Sequence, residues 1–343
     1  WLDMAVYSSS TTDQIVSAQM DQITGATGMK INAGKISNKG IELTARFVPV
    51  RTRDFEWSFD VNWSKNWNKL VSLQEGWDPN EPLQTGMGTT IGGRTYIYSY
   101  VGEEMNVIYG RGYQRAPEGA TYIDENGKEI DCSGMHLVNE VTGFPELDAS
   151  PDRRIGKVNP DWRAGMSHRL SYKGLTLSAT FSGQYGGNTF SVTNFSLSYQ
   201  GKLKNSVKGR YDGLVHKGVN AIKNSDGTIT YKPNQTITSN IQTYYNMYVW
   251  NRNNTEENTF DTSFLKLKEM RLDYQIPKSL CEKTGFLQGA NVRVYATNLF
   301  CWTKFPQYDP ETGMVNGGEI HRGIEAMTYP MTRTYGVNFK LSF

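Results

Sequence analysis

The sequence predicts an all-β fold, a transmembrane antiparallel β-barrel with long loops at one end and short turns at the other. Three observations support it: strict alternation of apolar and polar residues, a polar but aromatic-rich composition, and connections that alternate in length. Alternation is clearest at residues 334–343, which read Thr-Tyr-Gly-Val-Asn-Phe-Lys-Leu-Ser-Phe. Chain ends usually fray into water, so an apolar face that runs to Phe343 is better explained if it lies in lipid. An edge strand of a soluble β-sandwich would also alternate, so the other two observations are needed.

Composition narrows the class of protein. The 343 residues include 36 basic and 34 acidic side chains, and no Lys/Arg-rich run with interleaved aromatics indicates a nucleic-acid binder. Hydrophobic content is only 38%, but 20 Tyr, 8 Trp and 34 Gly suit a barrel with aromatic girdles and long loops. No run approaches the roughly 18 consecutive apolar residues of a membrane helix. The chain opens at Trp1 with no signal peptide, so we expect a mature or partial chain.

Segments with a period of two predict about ten strands. The clearest strand lies at 55–64 and forms a hairpin with the preceding run 41–47. Its polar face carries Glu, Ser, Asp and Asn. We expect its apolar face to contact lipid; this face consists of Phe55, Trp57, Phe59, Val61 and Trp63. An Arg at Phe59 should therefore cost far more than an Arg at Ser58.

The remaining strands follow in order. A second hairpin turns at Lys173-Gly174, and His168 on its apolar face is interpreted as locally satisfied, because the strand supplies no further metal ligands. In the run 264–276 the apolar parity switches, which predicts a β-bulge near Lys268 or Glu269. The other predicted strands lie at 2–7, 96–101, 106–113, 162–172, 175–185, 291–299 and 334–343.

The predicted connections alternate in length. Short links lie at 50–53, 102–105, 173–174 and 277–288, and long ones at 8–38, 73–95, 116–159, 187–261 and 300–331. Membrane barrels show this asymmetry, with tight periplasmic turns and long extracellular loops, whereas a soluble sandwich has no reason to sort its loops. We expect 187–261 to be the largest extracellular excursion.

No motif indicates an enzyme. The four histidines are scattered, no Gly-x-Ser-x-Gly or His-Glu-x-x-His occurs, and pairs such as Glu103-Glu104 and Glu256-Glu257 are interpreted as solvated charge. The segments 124–127 and 224–227 contain Asp-x-x-Gly or Asn-x-x-Gly but lack the spaced carboxylates of a calcium loop, so hairpin turns are the simpler interpretation. Three cysteines at unrelated spacings fit neither a metal motif nor a disulfide framework, and at most one pair could form.

Several stretches carry a family resemblance in a fixed order. They are Ile-Ser-Asn-Lys-Gly-Ile-Glu-Leu at 36–43, Ile-Gly-Lys-Val-Asn-Pro-Asp-Trp at 155–162, Tyr-Lys-Gly-Leu-Thr-Leu at 172–177, the run 263–277 ending in Asp-Tyr-Gln-Ile-Pro, Thr-Asn-Leu-Phe at 297–300, Tyr-Asp-Pro-Glu at 308–311 and Tyr-Pro at 329–330. Together they resemble SusC/RagA-type TonB-dependent outer-membrane transporters over nearly the whole chain.

The resemblance implies a position and a role. The chain, residues 1–343, would be the C-terminal part of a 22-stranded barrel in the Gram-negative outer membrane, and the plug domain, TonB box and N-terminal barrel strands would lie outside it. Alone it would not close, because its edge strands would lack partners in lipid. The implied function is TonB-dependent import of oligosaccharides or oligopeptides. The implied partners are a SusD-like surface lipoprotein and the TonB-ExbB-ExbD complex, in a dimer of transporter–lipoprotein pairs, without a cofactor.

Loop aromatics are the candidate ligand contacts, because exposed rings often mark binding surfaces and Arg can orient a carboxylate. The candidates are Tyr199, Tyr211, Tyr244, Tyr245, Trp250, Arg252, Trp302 and Tyr308. The alternatives are an aromatic girdle and packing between loops or onto a partner. Deleting 220–238 should spare barrel assembly and weaken uptake or partner docking. The competing function is a surface-exposed β-rich adhesin or binding protein that performs no transport.

Overall fold

The structure, a computed structural model, describes residues 1–13, 15–19, 28–32, 34–85, 95–238, 240–251, 253–311, 313–316, 319–329 and 331–343. Twenty-five strands are assigned among them. In chain order they are β1 (Leu2–Thr11), β2 (Ile15–Gln19), β3 (Gly28–Asn32), β4 (Lys35–Arg51), β5 (Phe55–Ser72), β6 (Leu83–Gln84), β7 (Tyr96–Ser99), β8 (Val107–Gly110), β9 (Thr121–Ile123), β10 (Glu129–Asp131), β11 (Arg153–Lys157), β12 (Trp162–Tyr172), β13 (Leu175–Tyr185), β14 (Asn188–Ser191), β15 (Leu214–Val215), β16 (Val219–Lys223), β17 (Ile229–Pro233), β18 (Ile237–Thr238), β19 (Thr259–Asp261), β20 (Phe264–Gln275), β21 (Gly289–Thr303), β22 (Met314–Asn316), β23 (Glu319–His321), β24 (Ile324–Glu325) and β25 (Thr334–Ser342).

Helical segments are short. They are α1 (Val192–Tyr199), α2 (Ile241–Thr243), α3 (Lys278–Glu282), a 3₁₀ helix at Lys204–Val207 and a π-helix at Tyr244–Val249. Within the described residues, none of the helices has the length and apolar character needed to cross a membrane.

One antiparallel sheet forms the barrel wall, with the strand order β1-β4-β5-β12-β13-β20-β21-β25. The predicted all-β, transmembrane antiparallel barrel is therefore confirmed as part of a barrel. Among the described residues the wall holds eight strands, whereas the sequence suggested about ten. The runs 96–101 and 106–113 were counted as wall strands, but β7 and β8 pair instead with β6 and β11 in a separate four-stranded sheet.

The local features of the wall match the sequence pattern. The turn between β12 and β13 has positive φ at both Lys173 (44°) and Gly174 (84°), the backbone of a tight hairpin turn that Gly adopts without strain. The predicted bulge is present, since the β13–β20 register passes from Thr180–Glu269 directly to Phe181–Leu267 and leaves Lys268 without an opposite residue on β13. This extra residue returns the side chains of Met270, Leu272 and Tyr274 to the outer face.

The two faces of the wall differ in chemistry. On the outer face large apolar side chains stay exposed, as at Leu2, Leu272 and Phe339. Phe59 stacks there on Phe47, with ring centroids 4.9 Å apart. Polar side chains line the inner face and form ion pairs across neighbouring strands; examples are Arg46–Asp60 (3.7 Å), Arg51–Glu56 (3.1 Å) and Arg293–Asp273 (2.5 Å). Apolar groups outside and charged pairs inside are what a barrel in lipid with a wet lumen requires.

His168 lies on the outer face and is locally satisfied, as the sequence suggested. The Trp57 indole Nε1–H donates to its Nδ1 at 3.4 Å, and Phe59 packs beside it at a centroid distance of 5.5 Å. The Cys132, Cys281 and Cys301 thiols are free.

Wall connections alternate in length without exception. Those at 52–54, 173–174 and 276–288 are short, and those at 12–34, 73–161, 186–263 and 304–333 are long. The prediction of a short wall link at 102–105 was wrong, because that turn joins β7 to β8 inside the excursion 73–161. For the same reason 73–161, rather than 187–261, is the longest excursion. We call 73–161, 186–263 and 304–333 together the loop assembly.

Candidate functional site

The loop assembly has its own hydrophobic cores. One core lies where the sheet β11-β8-β7-β6 meets the sheet β19-β14-β24, and it buries Ile97, Ile108, Phe190, Val192 and Ile324. A second core gathers the helical segments around residues 241–250 with Phe144 and Leu214 packed against them. These cores hold loops from different parts of the chain in one fixed arrangement.

Adjacent acidic residues join the two longest excursions. The Glu256 carboxylate forms ion pairs with Arg115 and, at 3.4 Å, with Arg153, and it accepts a hydrogen bond from the Tyr113 main-chain N–H at 3.0 Å. The neighbouring Glu257 accepts from the Tyr113 hydroxyl at 3.0 Å. The interpretation of Glu256-Glu257 as solvated charge was therefore wrong, because their carboxylates are used in contacts between loops.

Two histidines that are remote in sequence contact each other beside Tyr113, the residue to which Glu256 and Glu257 bind. His136 and His216 share a hydrogen bond of 3.0 Å between Nδ1 and Nε2, and the His216 Nδ1 lies 2.8 Å from the Tyr244 hydroxyl. The Tyr113 ring stacks on His136 with centroids 4.1 Å apart. These contacts connect 73–161 to two separate parts of 186–263.

Burial sets the protonation of this cluster. Desolvation, followed by the charge of His136, lowers the pKa of His216 to about 4, and desolvation followed by Arg115 lowers the pKa of His136. Desolvation also raises the pKa of Tyr113 and of Glu257. The lowered pKa values favour uncharged imidazoles near neutral pH. A direct hydrogen bond between the two rings requires that at least one of them be neutral, so that it can accept.

An open cleft of about 670 Å³ lies between α1, the 3₁₀ helix and α2. Its lining residues come from the basic stretch 202–210 and from the segments on both sides of it: Ser198, Tyr199, Gln200, Gly201, Ser206, Arg210, Asn240, Ile241, Gln242, Tyr245 and Asn246. Arg210 is the charged residue in this set, and no carboxylate belongs to it. A cavity of this size with aromatic, amide and guanidinium groups is of the kind that binds small ligands.

Local contacts fix the walls of the cleft. Arg210 donates from Nε to the Ser206 carbonyl at 2.8 Å and from Nη2 to the Gly201 carbonyl at 3.0 Å. Asn240 caps α2 by accepting from the Thr243 main-chain N–H at 3.0 Å. Opposite them, the Tyr245 hydroxyl donates to the Lys208 carbonyl at 2.9 Å. The guanidinium is thereby held at the rim by main-chain oxygens and by the Ser206 hydroxyl, which accepts from Nη2 at 2.8 Å, rather than by an acidic side chain.

The structure brings two of the candidate aromatics together at this cleft, Tyr199 and Tyr245. Tyr199 is 56% exposed, whereas Tyr245 is nearly buried and stacks on Trp250 with centroids 4.4 Å apart. Trp250 and Tyr244 are also buried and contribute to packing rather than to the cleft lining. Packing between loops, the alternative left open by the sequence, therefore describes their environment.

The other candidates lie elsewhere. Tyr211 is 94% exposed at the surface of the loop assembly. Trp302 belongs to β21 and stacks on Phe300 on the outer face of the wall, the position of an aromatic girdle. Tyr308 is exposed and lies next to Asp309, which forms a buried ion pair with Lys266 of the wall. Arg252 lies outside the described residues.

Sequence reasoning missed three groups at the site. Arg210 and Gln242 line the cleft, and His136 pairs with His216, but no local spacing marks any of them. The one available signal was the sequence Lys202-Leu-Lys-Asn-Ser-Val-Lys-Gly-Arg210, four basic residues within nine. In the part of the chain that the structure describes, no group of three or more His, Cys, Asp or Glu side chains could hold a metal ion.

The chain is similar in sequence to proteins named TonB-dependent receptors. The chain is 25% identical to TonB-dependent receptor P3 of Formosa agariphila over its whole length, which is 32% of that protein. It is also 25% identical to TonB-dependent receptor SusC of Bacteroides thetaiotaomicron over 92% of the chain and 27% of that protein. It thus spans about a third of the length of such relatives. No family model matches the chain.

A solved structure shares the fold. The RagAB peptide importer in its closed-closed state superposes with a TM-score of 0.66 at 21% identity, over 100% of this chain and 33% of the matched chain. At this level of identity the match concerns the fold.

Proposed function

Because the chain resembles SusC/RagA-type TonB-dependent outer-membrane transporters over its whole length, we propose that it forms part of an active importer of oligosaccharides or oligopeptides. It is located in the outer membrane of Gram-negative bacteria. The relatives are receptors and an importer by name. The proposed role is therefore ligand capture and passage rather than chemistry on the ligand.

One observation carries the proposal: the wall separates an apolar outer face from a charged inner face, and all long excursions leave it at the same end. In antiparallel strands, connections at one end alternate with connections at the other, and here the long ones at 12–34, 73–161, 186–263 and 304–333 share an end. A ligand that arrives from outside would meet the loop assembly before it reaches the lumen. Clefts among the loops are thus placed for capture.

The lumen itself has polar walls near the same end. Two adjoining clefts on the inner face, about 190 and 250 Å³, share Asn159, Pro160, Arg163 and Arg322. Amide and guanidinium groups of this kind can exchange hydrogen bonds with a hydroxyl- or amide-rich ligand as it moves. They offer no apolar trap that would hold such a ligand tightly.

Partners follow from the same proposal. We assign a SusD-like surface lipoprotein to the outer side of the loop assembly, in a dimer of such pairs, and the TonB-ExbB-ExbD complex to the periplasmic side. Energy coupling would reach the barrel through a plug domain and TonB box. The loop assembly supports a lipoprotein contact because its own cores keep its surface in one shape.

Genetics with a matched control tests the proposal. A strain that lacks the full-length transporter should lose growth on one class of oligosaccharide or oligopeptide. The intact gene should restore growth, and a version without its TonB box should not. Restoration by the TonB-box deletion, or extraction of the protein without detergent, would favour a surface adhesin that binds without transport.

A further inference from the structure

We propose that the cleft beside Arg210 binds an acidic oligosaccharide, one that carries carboxylate or sulfate groups. The inference rests on the proposed import function and deepens it by naming a substrate class. Charge, free hydrogen-bonding groups and the shape of the cleft walls each contribute to it.

The charge around the cleft is one-sided. Between Tyr199 and Asn246 the sequence holds six lysines and Arg210, against Asp212 and Asp226 as acidic residues. The chain as a whole has a net charge of only +2, so this segment is basic and the remainder is slightly acidic. None of the ion pairs among the described residues involves any of these seven basic side chains. The resulting positive potential favours anionic ligands.

Arg210 is positioned to contact such an anion. Its Nε and Nη2 donate to main-chain oxygens and to the Ser206 hydroxyl, while Nη1 has no acceptor among the described residues. A guanidinium held at the rim of a cleft, with no carboxylate in the lining, forms charge-assisted hydrogen bonds to a carboxylate or sulfate without first breaking an internal ion pair.

The neutral lining suits a polyhydroxylated ligand. The side-chain amides of Gln200, Gln242 and Asn246 form no hydrogen bond within the described residues, so each offers two donors and an acceptor to hydroxyl groups. The exposed ring of Tyr199 provides an apolar surface with a polar hydroxyl for a sugar ring. Charged and uncharged contacts therefore lie in one cleft.

The cleft walls argue against an extended peptide. Peptides are commonly bound by addition of a strand to an exposed sheet edge, where free main-chain groups provide most of the affinity. Here the walls are α1, the 3₁₀ helix and α2, whose main-chain groups are largely used inside the helical turns or their caps. A saccharide, which needs side-chain donors and acceptors, fits this surface better.

Binding to defined probes tests the inference. The full-length transporter, purified with its lipoprotein in detergent, is applied to an array of neutral, uronate-bearing and sulfate-bearing oligosaccharides and acidic peptides. We expect retention of acidic saccharides that weakens with salt. Arg210→Gln should reduce their affinity about ten-fold, through loss of a charged hydrogen bond. Gln242→Glu should reduce it about five-fold by repulsion, without touching a hydrogen bond of the fold.

Matched controls isolate the cleft from the general charge. Lys223→Gln removes the same charge and Gln235→Glu adds the same charge, both at exposed positions outside the lining, and both should change the affinity far less than their counterparts in the lining do. Equal affinities in all four variants, preference for neutral saccharides, or capture of acidic peptides alone would overturn the inference. TonB dependence of uptake is measured separately. Intact TonB-dependent uptake without acidic preference would overturn this inference only, whereas TonB-independent uptake would overturn the proposed function.

Discussion

The barrel wall and the loop assembly are stabilised in different ways. In the wall, main-chain hydrogen bonds run the length of each strand pair, and large side chains on the outer face stay exposed. In the loop assembly, buried polar side chains form individual hydrogen bonds between residues far apart in the chain: Glu325 accepts from the Ser191 hydroxyl, and the Asn258 Oδ1 accepts from the Asn194 side chain. The wall therefore depends on which face a residue occupies, whereas the loop assembly depends on particular pairs of residues.

The largest change in the free energy of unfolding should come from placing a charged side chain on the apolar outer face of the wall. Phe59→Arg puts a charge among Phe47, Trp57 and His168 on the outer face. We expect it to lower the free energy of unfolding of the full-length transporter by about 2 to 4 kcal/mol, as for cations near the midplane of a membrane. Denaturant titration of the protein folded into lipid vesicles measures this loss.

The control for this change needs an inward position with space. Ser58 is buried on the inner face, so an Arg there would also be crowded, and the exposed inward residue Asn62 is a better match. Asn62→Arg should change the unfolding free energy far less than Phe59→Arg does. Comparable losses at the two positions would contradict the assignment of the faces.

A smaller effect should follow from filling a cross-strand contact in the wall. Gly336 lies opposite Tyr295, and a Cβ on Gly336 would come within 2.5 Å of the Tyr295 ring. Gly336→Val should cost about 1 to 3 kcal/mol, because the ring must move to relieve overpacking. The double variant with Tyr295→Ala should recover most of that cost in the same vesicle titration. No recovery would mean that the ring is not the obstacle.

The sequence predicted which face of the wall a residue occupies, but it did not predict contacts that depend on how strands pair. Alternation identified the faces of β5 and β25 and the bulge at Lys268, because a period of two is written into each strand. The runs 96–101 and 106–113 were misassigned because a short apolar run looks the same in a wall and in a buried loop sheet. That Tyr295 covers Gly336 depends on strand register, which a single strand does not specify.

For the candidate site less could be read from the sequence. Tyr199 and Tyr245 were singled out as loop aromatics and do line the cleft. Arg210 and Gln242 were not, because residues that converge from separate helical segments leave no spacing to recognise. Likewise, His136 and His216 are 80 residues apart in the chain. Contacts of this kind are set by how the loops pack together, and the sequence of any one loop does not contain them.

Acid should loosen the loop assembly and leave the wall intact. The pKa of His216 is lowered to about 4 by burial, so on acidification the unfolded loops take up a proton near pH 6.5 before the folded ones do. The stabilising contribution is therefore complete above about pH 6.5 and falls as the pH approaches 4. The loss should reach roughly 2 kcal/mol for a partly exposed ring.

Neighbouring groups shape this response. His136, with its own lowered pKa, adds to the loss, and its charged neighbours are Arg115, Glu256 and Arg153. Glu257 acts in the opposite direction, because its raised pKa means that acid removes an unfavourable charge. Hydrogen exchange of residues 113–138 and 214–250 at pH 7.5 and 5 measures the change. In His216→Gln the pH dependence should shrink, and an unchanged dependence would locate the titration elsewhere.

The smallest effect should come from the tip of the hairpin β16–β17. The proposed deletion of 220–238 is too large to isolate a surface, because Asn220 donates to the Val138 carbonyl at 2.9 Å and Asn234 donates to the His216 carbonyl at 2.9 Å. The turn between the strands is exposed, and Asn224 and Asp226 bond within it. Replacing residues 224–228 by a two-residue Asn-Gly turn keeps the hairpin and removes the tip. The free energy of unfolding should then change by less than about 0.5 kcal/mol.

The same variant tests whether the hairpin tip contacts the surface lipoprotein. If this end of 186–263 contacts the lipoprotein, co-purification of the lipoprotein should fall while binding at the Arg210 cleft stays constant. Unchanged co-purification would place the lipoprotein contact elsewhere on the loop assembly.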